Sequence, residues 1–353
     1  MGVGLIVLLK IISSKQEIWL NNSKIGKLIT MEKLLTITVP VYNTEQYLPK
    51  CLDSLIVNND LMDVLQVLIV IDGSPDNSVK VAQAYADKYP DTFFVIEKEN
   101  GGHGSAINKG LELATGKYFK VLDSDDWFDT EVFKQFLDNL QRIDVDVVLT
   151  DVVREFVFEN RQAVDSVKEP VGKIFNYFPE YNALAMAKQT YKLSLLKDSN
   201  LKLPEKMFYV DTIYARQPVL YAQSFIYYNY PLYRYFIGRS GQSVSIESSL
   251  RNREHYKYVF KFLYEQEREI LRGRIKELEL YKTLNNLIYS VLSHLDYQKS
   301  KEELKEWDSY IRNNVVEREI KSGKVYYLYN LLPFFIYKAL FLSYLNLKKL
   351  FKK

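Results

Sequence analysis

Short apolar runs that end in polar turns and alternate with helical patterns constrain this fold most strongly. Such runs occur at 34–41, 64–71, 93–97, 118–122 and 145–149. Between them, apolar side chains recur at the spacing of an amphipathic helix. Strands separated by helices in this way form a parallel, doubly wound sheet, which binds a ligand such as a nucleotide where the strands end. We therefore predict an α/β protein with its site at the carboxyl edge of the sheet.

An acidic cluster follows the fourth of these runs. Asp123, Asp125 and Asp126 lie within four residues, directly after the predicted strand. Clustered carboxylates repel one another, and Mg²⁺ or Mn²⁺ is held in proteins by one or two carboxylates together with substrate phosphates. The cluster therefore predicts a divalent cation that bridges to a phosphorylated substrate. The alternative is an acidic turn that caps the next helix, because Asp is favoured at helix starts.

Two more polar turns are expected at the same edge. Asp72 begins the turn after the second run, and a glycine-rich stretch at 100–104 follows the third. Glycine at Gly102 allows close approach of a ligand, and the start of the following helix favours anions. Both stretches also suit ordinary turns, and His103 is interpreted as a polar loop residue. Ile107 stands where the dinucleotide fingerprint counted from Gly102 needs glycine, which argues against a nicotinamide-linked oxidoreductase.

Composition narrows the class of protein. The 353 residues are 47% hydrophobic and 26% charged, which is ordinary for a soluble globular protein of one large domain or two. A net charge of +3 does not indicate a nucleic-acid partner, and none is expected. Cys51 is the only cysteine, so no intramolecular disulfide can form, which fits a cytoplasmic location.

Three stretches resemble the family 2 glycosyltransferases of the GT-A fold. They read TVPVYNTEQYLPKCLDSL, VLIVIDGSPDNS and ENGGHGSAINKGLELATGKYFKVLDSDDW, and the resemblance covers about residues 34–241. It implies a GT-A (Rossmann-like), doubly wound, mostly parallel sheet with a helical carboxyl-terminal extension. We expect a glycosyltransferase domain at 31–245, a helical region at 246–322 and a basic tail at 323–353. Residues 1–30 are expected to be a dispensable extension, because Met31 directly precedes the first strand.

The resemblance implies a metal-dependent, inverting, non-processive glycosyltransferase that uses Mn²⁺ or Mg²⁺. It would move one sugar from a nucleotide-sugar, expected to be a UDP-sugar, to a hydroxyl of a lipid-linked or polysaccharide acceptor in cell-surface glycan synthesis. The Q-x-x-R-W element of processive synthases is missing, as are transmembrane segments, which favours one transfer per acceptor.

The resemblance also assigns the donor side of the site. Pro40, Val41 and Tyr42 would line the nucleotide pocket. Asp72 would bond to the base, although relatives commonly have two acids there and Ile71 replaces the first.

The acidic cluster matches the DxD motif of the family. Asp123 would contact the ribose or sugar, Asp125 and Asp123 would hold the metal, and Asp126 would support them. Gly102 and Asn108 match the glycine-rich donor motif, in which many relatives carry Arg at the position of Ile107.

Two later segments complete the implied site. Asp211 matches the catalytic base, although Val210 replaces an acid that relatives usually have, and a helix cap is the alternative for Asp211. Arg234 and Arg239 match a segment near the diphosphate and would bind phosphate oxygens, because guanidinium suits them. Surface arginines on a loop are the competing interpretation.

The end of the chain is basic and apolar. No acid follows Glu319, whereas seven lysines do. Asn330, Pro333 and Lys338 interrupt the apolar run from 325, so we expect it to lie on the inner membrane surface rather than to span the membrane. The alternatives are a helix pair packed on the body and a dimer contact.

The sequence leaves alternatives to a transferase of glycans open. A catalytically inactive relative that binds sugars or partners is supported by Ile71 and Val210. A transferase that acts on a protein acceptor is also possible. A nucleotide-sugar pyrophosphorylase would need a glycine-rich phosphate loop near the amino terminus, and TVPVYNTEQ has none.

Overall fold

The computed structural model describes residues 33–179, 185–238, 246–273, 276 and 278–350. The extension predicted at 1–30 and the predicted phosphate ligand Arg239 lie outside these residues. Within them, ten strands form one mixed sheet that is followed by a run of helices, which confirms the predicted α/β class with a helical carboxyl-terminal region.

Ten strands make up the described sheet. Their bounds are β1 Lys33–Val41, β2 Leu65–Asp72, β3 Phe93–Lys98, β4 Gly116–Val121, β5 Trp127–Phe128, β6 Val147–Phe156, β7 Arg161–Asp165, β8 Ile174–Phe175, β9 Gln189–Lys192 and β10 Phe225–Ile237. They lie in the order β3-β2-β1-β4-β9-β6-β10-β5, with β7 beside β6 and β8 beside β10.

The first four strands are parallel, as predicted. β1 pairs with β2 and β4, and β2 pairs with β3. All eight residues of β2 are buried, as expected for a central parallel strand covered on both faces. The next strand along the sheet, β9, runs antiparallel to both β4 and β6. This insertion was not predicted, because the four residues QTYK are too short to give a strand pattern.

The helices that follow the strands are α1 Leu48–Asp53, α2 Asn59–Met62, α3 Ser78–Lys88, α4 His103–Leu113, α5 Thr130–Leu140, α6 Leu193–Asp198 and α7 Val210–Arg216. α5 illustrates why they form. Phe133, Phe136 and Leu140 recur at helical spacing and are buried, and the Asp129 side chain caps the helix by accepting from the amide of Val132 at 3.2 Å.

The carboxyl-terminal helices are α8 Ile246–Arg251, α9 Arg253–Ile270, α10 Leu278–Ser293, α11 Tyr297–Asn314, α12 Lys324–Leu331 and α13 Phe334–Leu350. Phe260 and Trp307 from these helices belong to the same buried cluster as Phe119 of the sheet. A second cluster covers the other face of the sheet through α1 and α5. No helix among the described residues has the length and apolar content needed to cross a membrane.

Candidate active site

The loops after β1, β2 and β4 meet at one edge of the sheet. These strands are parallel neighbours, so their carboxyl ends lie side by side. Two hydrogen bonds join these loops. The Ser74 hydroxyl accepts from the amide of Asn43 at 2.7 Å, and the hydroxyls of Thr44 and Ser124 are bonded to each other at 2.8 Å. The loops that the sequence assigned to the site are therefore in contact.

The acidic loop, residues 123–126, is hydrogen-bonded to β10. Asp126 is buried, and its two oxygens accept from the Tyr233 hydroxyl at 2.7 Å and from the Phe236 amide at 2.8 Å. The same hydroxyl oxygen accepts from the amide of Asp123 at 3.2 Å. Asp123 and Asp125 are partly exposed. Asp126 thus supports the loop, and the other two carboxylates remain accessible to a ligand.

The charges in this loop oppose one another. Burial, and then the neighbouring charges of Asp125 and Asp123, raise the pKa of Asp126 well above its ordinary value. Such repulsion is relieved when a cation binds. The acidic loop is therefore electrostatically suited to a divalent ion.

The residues present fit a cation that is shared with a substrate. In the part of the chain that the structure describes, no three His, Cys, Asp or Glu side chains form a complete metal site by themselves. Mg²⁺ is commonly held by one or two carboxylates, with waters and substrate phosphates in its other positions. Asp123 and Asp125 provide that number of carboxylates at a strand end.

Asp72 is directed toward the glycine-rich loop. Its side-chain oxygens accept from the Lys98 ammonium at 2.7 Å and from the amides of Gly101 and Gly102 at 2.9 and 2.7 Å, and the residue is 3% exposed. These bonds fix the path of the loop at 100–104. Contact of Asp72 with a base stays a prediction.

His103 lies inside the site, which corrects its interpretation as a polar loop residue. It is the first residue of α4, and its Nε2 is 2.8 Å from Oδ1 of Asp123. Burial lowers the pKa of His103, but the charges of Asp123, Asp211 and Asp125 outweigh burial and raise it above the ordinary value. A signal for this role was available in the sequence, because His103 opens a helix directly after a glycine-rich loop.

Asp211 is the second residue of α7 and lies close to the same imidazole. The N-cap position belongs to Tyr209, so Asp211 is not the cap residue that the alternative interpretation required. Asp211 is exposed, although neighbouring protein groups displace part of the water around its carboxylate. Desolvation raises the pKa of Asp211. The charge of His103 lowers this pKa, whereas the charge of Asp123 raises it further, and the net effect is an increase. A carboxylate with a raised pKa suits general-base work.

The loop before α7 is anchored to the glycine-rich loop and to α4. Asn108 donates to the carbonyl of Leu203 at 2.8 Å and accepts from its amide at 2.9 Å, and the amide of Lys206 donates to Gly101 at 2.5 Å. Gly102 has a φ of +84°, and a Cβ there would lie 3.2 Å from the nitrogen of Lys206. Gly102 and Asn108 therefore hold this loop in place, and their contact with a donor stays a prediction.

The three residues predicted for the nucleotide pocket end β1. Pro40 and Val41 are buried, whereas the Tyr42 side chain is 53% exposed. Tyr42 is therefore the member of this group whose ring a ligand can reach.

Arg234 is already paired with carboxylates. Its guanidinium lies 2.6 Å from Asp129 and 3.1 Å from Glu155. Contact of Arg234 with phosphate stays a prediction, and it requires a change in these pairs.

The next residue, Tyr235, was not predicted as part of the site. Burial raises its pKa to about 12, and the charges of the four acids at 123, 125, 126 and 211 raise it in the same direction, which indicates that its ring lies near them.

Comparison with known sequences also indicates a glycosyltransferase. The profile of Glycosyl transferase family 2 matches residues 36–195. EpsH of Bacillus subtilis (strain 168), which is named as a glycosyltransferase, is 30% identical over 267 residues, covering 72% of this chain and 75% of EpsH. Poly(ribitol-phosphate) beta-glucosyltransferase of Bacillus spizizenii is 24% identical over 303 residues, covering 78% of this chain and 44% of that protein.

A solved structure shares the fold. S. aureus TarS 1–349, in complex with UDP, aligns with a TM-score of 0.54 at 19% identity, over 84% of this chain and 91% of that one. This likeness concerns the GT-A-type fold alone. Because the family profile matches and EpsH is 30% identical over most of both chains, this chain belongs to glycosyltransferase family 2 and is a transferase enzyme.

Proposed function

We propose that the protein is a metal-dependent, inverting, non-processive glycosyltransferase that moves one sugar from a nucleotide-sugar to a hydroxyl of a glycan or lipid-linked acceptor. The observation that carries this proposal is a grouping of three side chains: Asp123 at a strand end is paired with His103 of α4, and α7, which carries Asp211, contacts α4. This grouping offers carboxylates for a cation with a diphosphate and, close by, another carboxylate for an acceptor hydroxyl.

In this mechanism Asp211 takes the proton of the acceptor hydroxyl while the hydroxyl oxygen forms a bond to the anomeric carbon. The bond from that carbon to the diphosphate oxygen breaks, and the nucleoside diphosphate leaves. A single displacement of this kind inverts the anomeric configuration. The raised pKa of Asp211 makes it a stronger proton acceptor than an ordinary carboxylate, and a positioned base contributes about 10²–10⁴-fold.

The acidic loop has the complementary task. Mn²⁺ or Mg²⁺ held by Asp125 and Asp123 would supply positive charge that stabilises the departing diphosphate. Asp126 fixes the loop through its bonds to β10, and His103 orients the carboxylate of Asp123.

The donor is proposed to be a UDP-sugar. TarS, which shares the fold, was solved with UDP and with UDP-GlcNAc, and this supports a uridine nucleotide. Pro40, Val41 and Tyr42 would line the nucleotide pocket, and Asp72 would lie toward the base. Arg234 and Arg239 remain the candidates for phosphate contacts.

The acceptor is proposed to be a cell-surface glycan or its lipid-linked precursor. The names of two relatives, poly(ribitol-phosphate) beta-glucosyltransferase and minor teichoic acid biosynthesis protein GgaB, support a surface polymer.

A peripheral position at the membrane is part of the proposal. α12 and α13 expose a set of large apolar side chains, each more than half accessible: Tyr327, Leu331, Phe335, Leu340 and Tyr344. Other residues of the same helices face the protein, since Tyr337 is buried and Lys338 donates to the carbonyls of Ser293 and Leu295 at 2.5 and 2.6 Å. Helices with one packed face and one exposed apolar face are typical of proteins that rest on a lipid surface.

Thermal stabilisation by UDP, GDP, CMP and dTDP, with and without Mn²⁺, tests the donor and metal assignments on wild type and Asp125→Ala. We expect stabilisation by UDP that depends on Mn²⁺ and is lost in the variant. Stabilisation by none of the nucleotides would favour the catalytically inactive alternative.

A further inference from the structure

An aromatic pair lies beside the proposed base. The rings of Phe208 and His255 are inclined by 14° with their centroids 6.1 Å apart. The amide of Phe208 donates to Nδ1 of His255 at 3.2 Å. Phe208 is nevertheless 46% exposed, so its ring is held by one neighbour while much of its surface remains accessible.

The next residue fixes the pair to the helical region. Tyr209 stacks on Tyr256 of α9, with centroids 3.7 Å apart and an angle of 15°. Tyr209 also has a φ of +66°, in the left-handed region that a bulky side chain rarely adopts. Such a conformation persists where the surrounding contacts define it, and here the stack on Tyr256 is that contact.

The pair is close to the residue that would activate the acceptor. Phe208 precedes Asp211 by three residues, and α7, which carries Asp211, contacts α9, which carries His255. An acceptor whose hydroxyl reaches Asp211 therefore lies close to this exposed aromatic surface.

The two side chains offer the contacts that a sugar ring uses. Because Nδ1 of His255 accepts from a backbone amide, the neutral imidazole carries its proton on Nε2, where it can donate to a hydroxyl. Burial lowers the pKa of His255, which keeps the ring neutral at pH 7. One face of a pyranose presents C–H groups that pack on an aromatic ring, as in binding sites lined by aromatic side chains with a few polar groups.

We infer that Phe208 and His255 form the subsite for the acceptor, and that the acceptor unit they bind is a pyranose ring. The inference rests on the proposed function, because the subsite is defined by its place beside the base. It commits to a ring sugar rather than a linear polyol phosphate, since an open chain has no flat face to pack on Phe208.

Saturation-transfer NMR on the full chain with UDP and Mn²⁺ tests the inference. The probes are the methyl β-pyranosides of glucose, galactose and N-acetylglucosamine, together with ribitol 5-phosphate. Phe208→Leu keeps apolar bulk but removes the aromatic face, Phe208→Tyr keeps the face, and Tyr297→Leu changes an aromatic residue of similar exposure (49%) on α11.

We expect at least one pyranoside to bind wild type, Phe208→Tyr and Tyr297→Leu alike, and to bind Phe208→Leu about tenfold more weakly, the size of one aromatic contact. Equal binding by Phe208→Leu and wild type would overturn the inference, as would binding of ribitol 5-phosphate alone or of no probe. Transfer of sugar from UDP-sugars to the pyranosides is measured separately. A protein that binds pyranosides through Phe208 but transfers no sugar to them from any UDP-sugar would keep the subsite and refute the proposed UDP-sugar donor.

Discussion

The hydroxyl of Tyr233 joins the Asp126 carboxyl to the backbone of the acidic loop. It donates to Asp126 at 2.7 Å and accepts from the amide of Asp123 at 3.2 Å. One side chain of β10 thus fixes both ends of the loop that is proposed to hold the metal. The two residues are 107 positions apart in sequence, so the shape of the loop depends on the tertiary packing of β10.

Replacing Tyr233 with Phe should weaken both the fold and the metal site. The buried oxygen of Asp126 loses its donor, which lowers the free energy of unfolding by about 1–3 kcal/mol. The loop also loses its tie at Asp123, so the Mn²⁺ concentration needed for half-maximal stabilisation by UDP should rise. Urea unfolding and Mn²⁺ titration in the presence of UDP measure the two effects.

Tyr289→Phe is the matched control for this change. Tyr289 is buried and donates to Asp308 at 3.0 Å, within the carboxyl-terminal helices. We expect it to lose comparable stability without a change in the Mn²⁺ requirement. Equal Mn²⁺ requirements in Tyr233→Phe and wild type would show that the tie from β10 does not shape the metal site.

Replacing Asp211 with Asn should abolish transfer while donor binding is retained. The amide cannot accept the acceptor proton, and we expect the transfer rate to fall by about 10²–10⁴-fold. Glu205→Gln, an exposed acid on the same loop, should transfer at nearly the wild-type rate. The measurements are initial rates of sugar transfer and the affinity for UDP with Mn²⁺, and a rate for Asp211→Asn near wild type would exclude Asp211 as the base.

Stability at low pH should report on Asp76, which ties two of the site loops. Burial alone would raise its pKa, but hydrogen bonds from Ser74 and Ser78 and from the amide of Glu45 lower it to about 2 from the ordinary 3.8. Because the folded pKa lies below the unfolded one, Asp76 stabilises the fold above the unfolded pKa, and this stabilisation is lost as the pH falls through the folded pKa.

Asp76→Asn should therefore lower the free energy of unfolding by about 1–2 kcal/mol at pH 7, after allowance for partial exposure. The gap between variant and wild type should close as the pH falls from about 4 toward 2. Urea unfolding at several pH values measures it, with the exposed Asp60→Asn as control. A difference in the free energy of unfolding that stays constant over this pH range would mean that the charge of Asp76 does not stabilise the fold.

Replacing Phe335 with Glu should release the protein from anionic lipid. Phe335 is 63% exposed on α13, so the change removes apolar surface available to a membrane. It also adds a negative charge, which the anionic lipid repels. We expect at least about tenfold weaker sedimentation with vesicles of phosphatidylglycerol and phosphatidylethanolamine. Val164→Glu, on a residue of similar exposure in β7, is the control. If both variants sediment like wild type, α13 is not the surface that contacts lipid.

Sequence reasoning predicted those parts of the fold in which neighbouring residues determine the pattern. The first four strands occur where the apolar runs indicated. The short strand Gln189–Lys192 was missed, because its place between β4 and β6 depends on partners distant in the chain.

The same limit applies to the site. The acids at 123, 125, 126 and 211 were identified as candidates, but sequence spacing could not show that Tyr233 supports one of them. Asn108 was expected at the donor, which stays a prediction, and spacing could not show that its amide is bonded to Leu203, which is 95 residues away. His103 was undervalued although it opens a helix directly after the glycine-rich loop, because its distance of 2.8 Å from Asp123 exists only in the folded chain.

The stack of Tyr209 on Tyr256 has a consequence for exchanging parts between related enzymes. The segment that leads into α7 and Asp211 packs on α9, whereas the loops proposed for the donor follow β1, β2 and β4. A chimera that takes α9 from one parent and the segment with Tyr209 from the other would break the packing between Tyr209 and Tyr256. We expect active hybrids when residues 207–256 come from one parent, and the choice of acceptor should be inherited with that block.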